Sequence, residues 1–247
     1  MILEGKELTK NYAGKDASVA ALKGVSLHLK KGEILGIVGE SGSGKSTLLK
    51  LLSGLEAPDS GEIKLREKTL SPKRTKEDYR TMQMIFQDAV ASFHPRRTIE
   101  ASVREAVRNL CGKDAKFEKE ELAKMVGLTP DLMERRPGKL SGGQCQRFAI
   151  ARAIAVKPEI LLCDEITSAL DVSTQAQILC LISKICRGTG TSAIFVSHDL
   201  AVVSCLCDRI MVMKDGVVVE EGDARQIIEK PKEPYTQRLI ESVMEIP

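Results

Sequence analysis

The sequence predicts an α/β fold built on a largely parallel sheet, and three observations lead there. Short apolar runs alternate with stretches of helical spacing along most of the chain. The segments Glu159 to Asp164 and Ser192 to Ser197 carry uninterrupted apolar runs, as strands covered on both faces require. A glycine-rich turn, Gly39 to Gly44, sits between an apolar strand and a leucine-rich helix.

In chain order, Glu33 to Gly39 reads as a buried strand and Lys45 to Ser53 as the helix that follows, carrying Leu48, Leu49, Leu51 and Leu52 and stopped by Gly54. Met82 to Phe86, Glu159 to Asp164 and Ser192 to Ser197 supply further strands of the same sheet. Between about Asp88 and Lys157 no strong strand pattern occurs. Helical spacing instead runs through Ile99, Val103, Ala106, Val107 and Leu110, then through Leu122, Met125 and Val126 to a stop at Gly127, which reads as a helical insertion. Arg209 to Lys214 and Val217 to Glu221 flank Asp215-Gly216, a two-residue hairpin signal. The tail from Lys230 to Gln237 holds two prolines and leads into a short helix, so it is expected as an appendage on the surface. No internal repeat or low-complexity segment is visible.

Composition limits the function classes. With 247 residues, 43% hydrophobic and 29% charged, the chain has room for one large domain or a domain with an insertion. A net charge of +3 lacks the basic excess that marks a nucleic-acid binder, and with 3% aromatic residues and no Trp there are few platforms on which bases could stack. The seven cysteines are odd in number and scattered, and no signal-peptide pattern follows Met1, so a reducing cytosolic compartment is expected. Cys205-x-Cys207 lacks the two-residue gap of common zinc pairs and has no second pair or nearby His, so buried thiols are expected there. No apolar run is long enough to span a membrane, and a membrane function would need a partner that does.

Three motifs carry the chemistry. Gly39 to Ser46 fits G-x-x-x-x-G-K-[ST] between a predicted strand and a predicted helix. Its glycines let successive N–H groups converge on phosphates, the helix N-terminus adds its positive end, Lys45 reaches the outer phosphates, and the Ser46 hydroxyl is suited to Mg²⁺. Ile160 to Asp164 is a buried strand ending in two carboxylates: Asp164 is placed for the Mg²⁺ shell, and Glu165 for a water in line with the terminal phosphate. Leu140-Ser-Gly-Gly-Gln144 follows the Pro137-Gly138 turn and precedes a helix predicted over Cys145 to Val156, with Ser141 as its N-cap. Its two glycines bare backbone N–H groups at a helix start, a second anion-binding surface on one chain. One nucleotide does not need two such cradles from one subunit, so the second is expected to serve the nucleotide of a second subunit in a head-to-tail pair.

With these residues in view, the chain resembles the ATPases of ATP-binding-cassette (ABC) transporters, in the family's motif order and over nearly its full length. The loop Gly39 to Ser46 matches Walker A, Gln87 the Q-loop glutamine, Leu140 to Gln144 the signature, and Asp164 and Glu165 the end of Walker B. Ser168 to Asp171 matches the D-loop, and His198 in Ser197-His-Asp199 the switch histidine. The resemblance implies a P-loop NTPase fold with a RecA-like mixed sheet core (1–87 and 158–228), an antiparallel β subdomain, an inserted α-helical subdomain (88–157) and a short C-terminal appendage (229–247).

It also implies roles. ATP is held by Tyr12 stacking on adenine, by Gly39, Ser41, Gly42, Gly44, Lys45, Ser46 and Thr47, by Gln87, and by Ser141, Gly142, Gly143, Gln144 and Asp171. Mg²⁺ is held by Ser46, Gln87 and Asp164, while Glu165 and His198 are catalytic. Three departures from the family pattern, Ile166 for a proline, Cys145 after the signature and Lys139 before it, remove no catalytic atom.

The segment Ile85 to Thr98, with its Ser92, Pro95-Arg96 and Thr98, and the tail Pro234-Tyr235-Thr236 resemble the dipeptide, oligopeptide and nickel importer branch. The implied partners are a second, different ATPase subunit, two transmembrane permease subunits and an extracytoplasmic binding protein, with no nucleic acid; the implied place is the cytoplasmic face of the membrane. The cysteine-containing extension that some members use for an iron–sulfur cluster is absent, so no cluster is expected. A soluble, non-transport ABC ATPase would need two fused cassettes or long coiled-coil insertions, and another importer branch is the remaining alternative within the family. A GTPase or small-molecule kinase is opposed by the signature and by the lack of an Asn-Lys-x-Asp motif.

Overall fold

The computed structural model describes residues 1–13 and 18–244. The chain divides into two compact units, Met1–Arg74 with Thr189–Pro247, and Thr75–Gly188. Elements are numbered along the chain.

The first unit holds two groups of strands. In the antiparallel sheet β1 (Leu3–Ala13), β2 (Ser18–Leu29), β4 (Ser60–Leu65) and β5 (Lys68–Thr69) run in the order β2-β1-β4-β5. Irregularities between Gly5 and Leu8 and again at Leu8/Thr9 and Lys10/Asn11 interrupt the β1–β2 register, which blurs the period-2 pattern in these strands. The second group centres on β3 (Ile34–Val38), which lies in parallel register between β8 (Ser192–Ser197) and β9 (Arg209–Lys214). All residues of β3 and β8 are buried, the condition their unbroken apolar runs anticipate. The edge strand β10 (Val217–Asp223) returns antiparallel to β9 through Asp215 and Gly216, both at positive φ, the hairpin turn expected from that dipeptide.

Helix α1 (Lys45–Ser53) turns Leu48, Leu49, Leu51 and Leu52 inward, each fully buried, and ends where the Gly54 N–H reaches Leu51 O. Arg74 completes that end: its guanidinium donates to the carbonyls of Leu51 (3.3 Å) and Leu52 (3.4 Å), placing a cation on the negative pole of the helix. α7 (Leu200–Leu206), α8 (Ala224–Glu229) and α9 (Pro234–Met244) complete the unit. The expectation of a surface appendage fails for the start of α9. Tyr235 is 7% exposed and Thr236 is fully buried, because the Glu220 carboxylate of β10 accepts the N–H groups of Lys232 (2.9 Å) and Glu233 (3.2 Å) and draws the segment in.

In the second unit α2 (Lys76–Thr81), started by a Thr75/Asp78 capping box, leads into β6 (Met82–Ile85), which pairs in parallel with β7 (Ile160–Asp164). The stretch between them is helical: α3 (Ile99–Cys111), α4 (Lys119–Met125), two short 3₁₀ turns and α5 (Gly142–Ile154). α6 (Val172–Thr189) follows β7.

One ion-pair network pins the entry of the first unit's central strands. Glu33, 9% exposed, pairs with Arg209, which also donates to Glu221 (2.9 Å) and to the His28 carbonyl (2.6 Å). Removing one member of such a buried pair leaves the other charge uncompensated. Arg209→Met is therefore expected to lower the unfolding free energy by about 3 kcal/mol in urea titrations, with Glu33→Gln costing less.

Candidate functional site

The phosphate loop, His198, Gln87, Asp164 and Glu165 fall at or just beyond the carboxyl ends of parallel strands, while Tyr12 lies on antiparallel β1 and Ser141 to Gln144 at the start of α5; each unit presents its own group. In the first, the loop Gly39 to Gly44 leaves the end of β3 and feeds α1. Gly44 is the helix N-cap at φ 101, where a side chain is strained, and a Cβ there would meet the Ala21 carbonyl at 2.5 Å. Ser41 and Gly42 form the exposed rim of the loop, while Ser46 and Thr47 stand half-buried in the first turn of α1. The Gly216 N–H donates to Ser43 O (3.2 Å), so the tip of the β9–β10 hairpin braces the loop from outside.

Lys45 is 4% exposed and folds back into the loop it follows. Its ammonium donates to Gly39 O (2.7 Å), Glu40 O (2.7 Å) and Ser43 Oγ (3.2 Å). A cation is thus held by two backbone carbonyls and a hydroxyl of the loop, at a helix N-terminus, a geometry suited to phosphate.

The register places a histidine beside this loop. Val38 pairs with Ser197, so Gly39 and His198 are the next residues on two adjacent parallel strands. His198 is exposed, and the Asp199 that follows it caps α7 by accepting the N–H groups of Ala201 (2.9 Å) and Val202 (3.2 Å). Tyr12, half-buried near the end of β1, is hydrogen-bonded through its phenol to Glu56 (2.5 Å) and to the Thr47 hydroxyl. Burial and the Glu56 carboxylate push the phenol up from its usual range, and the Lys10 ammonium lies 5.8 Å from the ring centroid.

In the second unit, Ile85 pairs with Cys163, so Gln87 and Glu165 each lie two residues beyond a paired position on adjacent strands. The two are joined: Gln87 Nε2 donates to Ser168 Oγ (3.1 Å), and Ser168 Oγ donates to Glu165 O (3.0 Å). Asp164 is 9% exposed at the tip of β7. Glu165 has φ 45, a left-handed backbone that costs a non-glycine residue about 1 kcal/mol or more and is typical of functional turns. The Asp171 carboxylate accepts from Ser173 Oγ (2.6 Å), Thr174 N (3.0 Å) and Thr174 Oγ1 (2.8 Å) at the start of α6. These bonds hold it well below the usual carboxylate range.

Ser141 caps α5 as expected, and the helix begins earlier than predicted, at Gly142, so that both glycines lie in its first turn. Ser141 Oγ accepts the Gln144 N–H (3.2 Å) while Gln144 Oε1 accepts the Ser141 N–H (3.0 Å), a reciprocal capping box. The N–H groups of Gly142 and Gly143 remain without intrahelical acceptors, as the first turn of any helix requires. A Cβ on Gly143 would meet Thr174 Cγ2 at 2.8 Å, so glycine there lets the start of α6 pack close. Cys145, fully buried, donates to Pro137 O (3.4 Å); burial pushes its thiol up.

Arg152 was not legible in the sequence. From α5 it donates to Ser92 O (2.6 Å) and Ser92 Oγ (3.0 Å), with its guanidinium 4.3 Å from the Phe93 ring centroid. It thereby ties the helix that carries the signature residues to the loop that follows Gln87. Of the expected buried pair, Cys207 is buried but Cys205 is exposed: Cys205 lies on the outer side of the last turn of α7, whereas Cys207 caps the helix in extended conformation and packs over Gly36 of β3, where an added Cβ would meet its Sγ at 3.0 Å.

The family model described as ABC transporter matches residues 22–168, and the one described as the C-terminal region of oligopeptide/dipeptide transporters matches residues 219–247. The oligopeptide transport ATP-binding protein OppF of Lactococcus lactis subsp. lactis (strain IL1403) is 42% identical over 235 residues, 93% of this chain and 74% of that protein. The nickel import ATP-binding protein NikE of Shigella boydii serotype 4 (strain Sb227) is 38% identical over 251 residues, 94% of each. Among solved structures, the dimeric post-hydrolysis state of the ATP-binding cassette MJ0796 bound to ADP and Pi superposes with a TM-score of 0.80 at 33% identity, covering 90% of this chain and 99% of that one.

The thiol environments predict a reactivity order. Iodoacetamide at pH 7.5 should label Cys180 and Cys205, both exposed, while Cys145, Cys163 and Cys186, all buried, label only after unfolding; peptide mass spectrometry reads the sites.

Proposed function

The chain belongs to the ABC transporter family and is an ATPase, and from that premise we propose that it powers uptake of peptides or nickel through separate membrane subunits. The observation that supports the reading is the pair of glycine-bearing helix starts on one chain: α1 behind the Lys45 loop and the Ser141-capped start of α5. One cradle takes this chain's own ATP and the other takes the ATP of a second subunit. Two subunits close head to tail when both nucleotides are bound and separate after hydrolysis.

In the closed state the N–H groups of Ser41 to Thr47 surround the phosphates, and Tyr12 stacks on adenine. Ser46, Asp164 and Gln87 offer oxygen donors of the kind Mg²⁺ prefers and would hold it; when bound, it neutralises charge on the phosphate oxygens. Glu165 accepts a proton from the water that attacks the terminal phosphorus, and His198 contacts that phosphate and orients the water. Gly142, Gly143, Ser141 and Gln144 face the partner's triphosphate, with Asp171 on the same rim. The link from Gln87 through Ser168 to Glu165, together with the Arg152 clamp on the loop after Gln87, supports transmission of hydrolysis to a membrane subunit.

No helix among the described residues is long and apolar enough to cross a membrane, in keeping with a peripheral subunit on the cytoplasmic face beneath two permease subunits fed by an extracytoplasmic binding protein. The relatives' names support peptides and nickel alike as cargo. Stimulation of ATPase activity in the reconstituted complex by a di- or oligopeptide, or by Ni²⁺, decides between them; stimulation by neither contradicts the import role.

Two substitutions test the assignments. Glu165→Gln should retain ATP binding while turnover in the assembled complex falls at least about 100-fold, the scale of a lost general base; native turnover would contradict its role. Lys45→Ala should weaken ATP binding by about 10-fold or more in calorimetric titration, since it removes a charge-assisted phosphate contact, and unchanged affinity would contradict the loop assignment.

A further inference from the structure

The buried start of α9 touches the phosphate loop. Tyr235 Oη accepts the N–H of Glu40 at 3.0 Å. That N–H shares a peptide group with the Gly39 carbonyl, which Lys45 Nζ holds at 2.7 Å. One peptide plane is therefore gripped at both ends, by the lysine from within the loop and by the phenol from outside it.

The outer grip is built rather than incidental. Tyr235 is 7% exposed, and the Lys214 ammonium lies 5.1 Å from its ring centroid. The segment before it is docked independently by Glu220, 9% exposed, which accepts two successive backbone N–H groups at Lys232 and Glu233. Pro234 at the start of α9 and the Gln237 side chain, which donates to Pro231 O (3.2 Å), stiffen the approach. Burial pushes the Tyr235 phenol up, so it keeps its proton at neutral pH.

An ammonium has three N–H donors, and Lys45 directs them at Gly39 O, Glu40 O and Ser43 Oγ. A phosphate oxygen can be engaged in line with an N–H only if at least one of these contacts loosens. The two carbonyls flank the same stretch of backbone, so the inner grip weakens as nucleotide enters, and the phenol is then what keeps the Gly39–Glu40 peptide from turning. We propose that Tyr235 is a positioning residue for nucleotide binding: it holds the first peptide of the phosphate loop while Lys45 exchanges backbone carbonyls for phosphate oxygens, and so couples nucleotide occupancy to the docking of α9. The coupling is reciprocal, so bound nucleotide tightens α9 by as much as docked α9 favours nucleotide. This inference rests on the ATP-binding reading above.

Tyr235→Phe removes the hydroxyl and keeps the ring in place. In the full chain with Mg-ADP as the probe, the Kd should rise about 3- to 10-fold, the range of one hydrogen bond, while the thermal midpoint without nucleotide stays within about 2 °C of native, as expected where packing is unchanged. Hydrogen exchange over 234–241 should slow on ADP addition in the native chain and not in Tyr235→Phe, a response that a purely packing role does not give. If Tyr235→Phe lowers the nucleotide-free midpoint, Glu220→Ala serves instead, since it undocks the segment from a distance; it too should raise the Kd and abolish the ADP-dependent protection. Native affinity in the variant, or ADP-dependent protection of 234–241 equal to native, overturns the inference. A native chain that binds no ADP overturns the ATP-binding reading and this inference together, whereas native binding with Tyr235→Phe unchanged overturns this inference alone.

Discussion

Central strand β3 is held in parallel register by β8 on one side and β9 on the other, and the chemistry of the first unit depends on that constraint. Parallel pairing delivers every strand's carboxyl end to the same edge, where loops are free to carry functional groups. The Val38–Ser197 pairing puts the phosphate loop and His198 side by side, and β9 continues into the hairpin that braces Ser43. Were β3 to slip by one residue, Gly39 would leave the edge, and the apolar faces of a doubly covered strand would be reversed. The Glu33–Arg209 network at the opposite end of the same strands opposes such a slip.

The second unit repeats the device with β6 and β7. Its register aligns Gln87 with Glu165, and Ser168 bridges them. At Glu165 the backbone is held against its own preference, and three hydrogen bonds fix the Asp171 carboxylate at the start of α6. A group whose position matters to within a few tenths of an ångström gains from a backbone that has one available conformation. The capping box at Ser141 serves the same end, because it fixes the start of α5 locally, with Gly142 and Gly143 in its first turn.

The sequence made legible whatever is local. Buried strands announce themselves as apolar runs, α1 by its leucines and its glycine stop, the β9–β10 turn by Asp-Gly, and the start of α5 by Ser141 and Gln144 three residues apart. Bulges hid the alternation in β1 and β2, so that sheet was expected only through family resemblance. Contacts distant in sequence were invisible: Arg74 closing α1, Arg152 clamping Ser92, and above all Tyr235 reaching Glu40 across 195 positions. Two prolines near the end of the chain suggested an appendage, because nothing local shows that Glu220 will bind the backbone beside them. Ordered motifs located the candidate site, while long-range hydrogen bonds determine how stiffly it is held.

In the proposed assembly a nucleotide is shared between the Lys45 loop of one subunit and the Ser141 helix start of another. Its most direct test is a structure of the assembled complex with ATP, in a Glu165→Gln background that retains the nucleotide. The account predicts the terminal phosphate at hydrogen-bond distance from Lys45 Nζ on this chain, with Ser141 and the N–H groups of Gly142 and Gly143 against the triphosphate bound by the second subunit. A triphosphate bound away from the loop, or a Ser141 helix start that faces no nucleotide when both sites are filled, would contradict it.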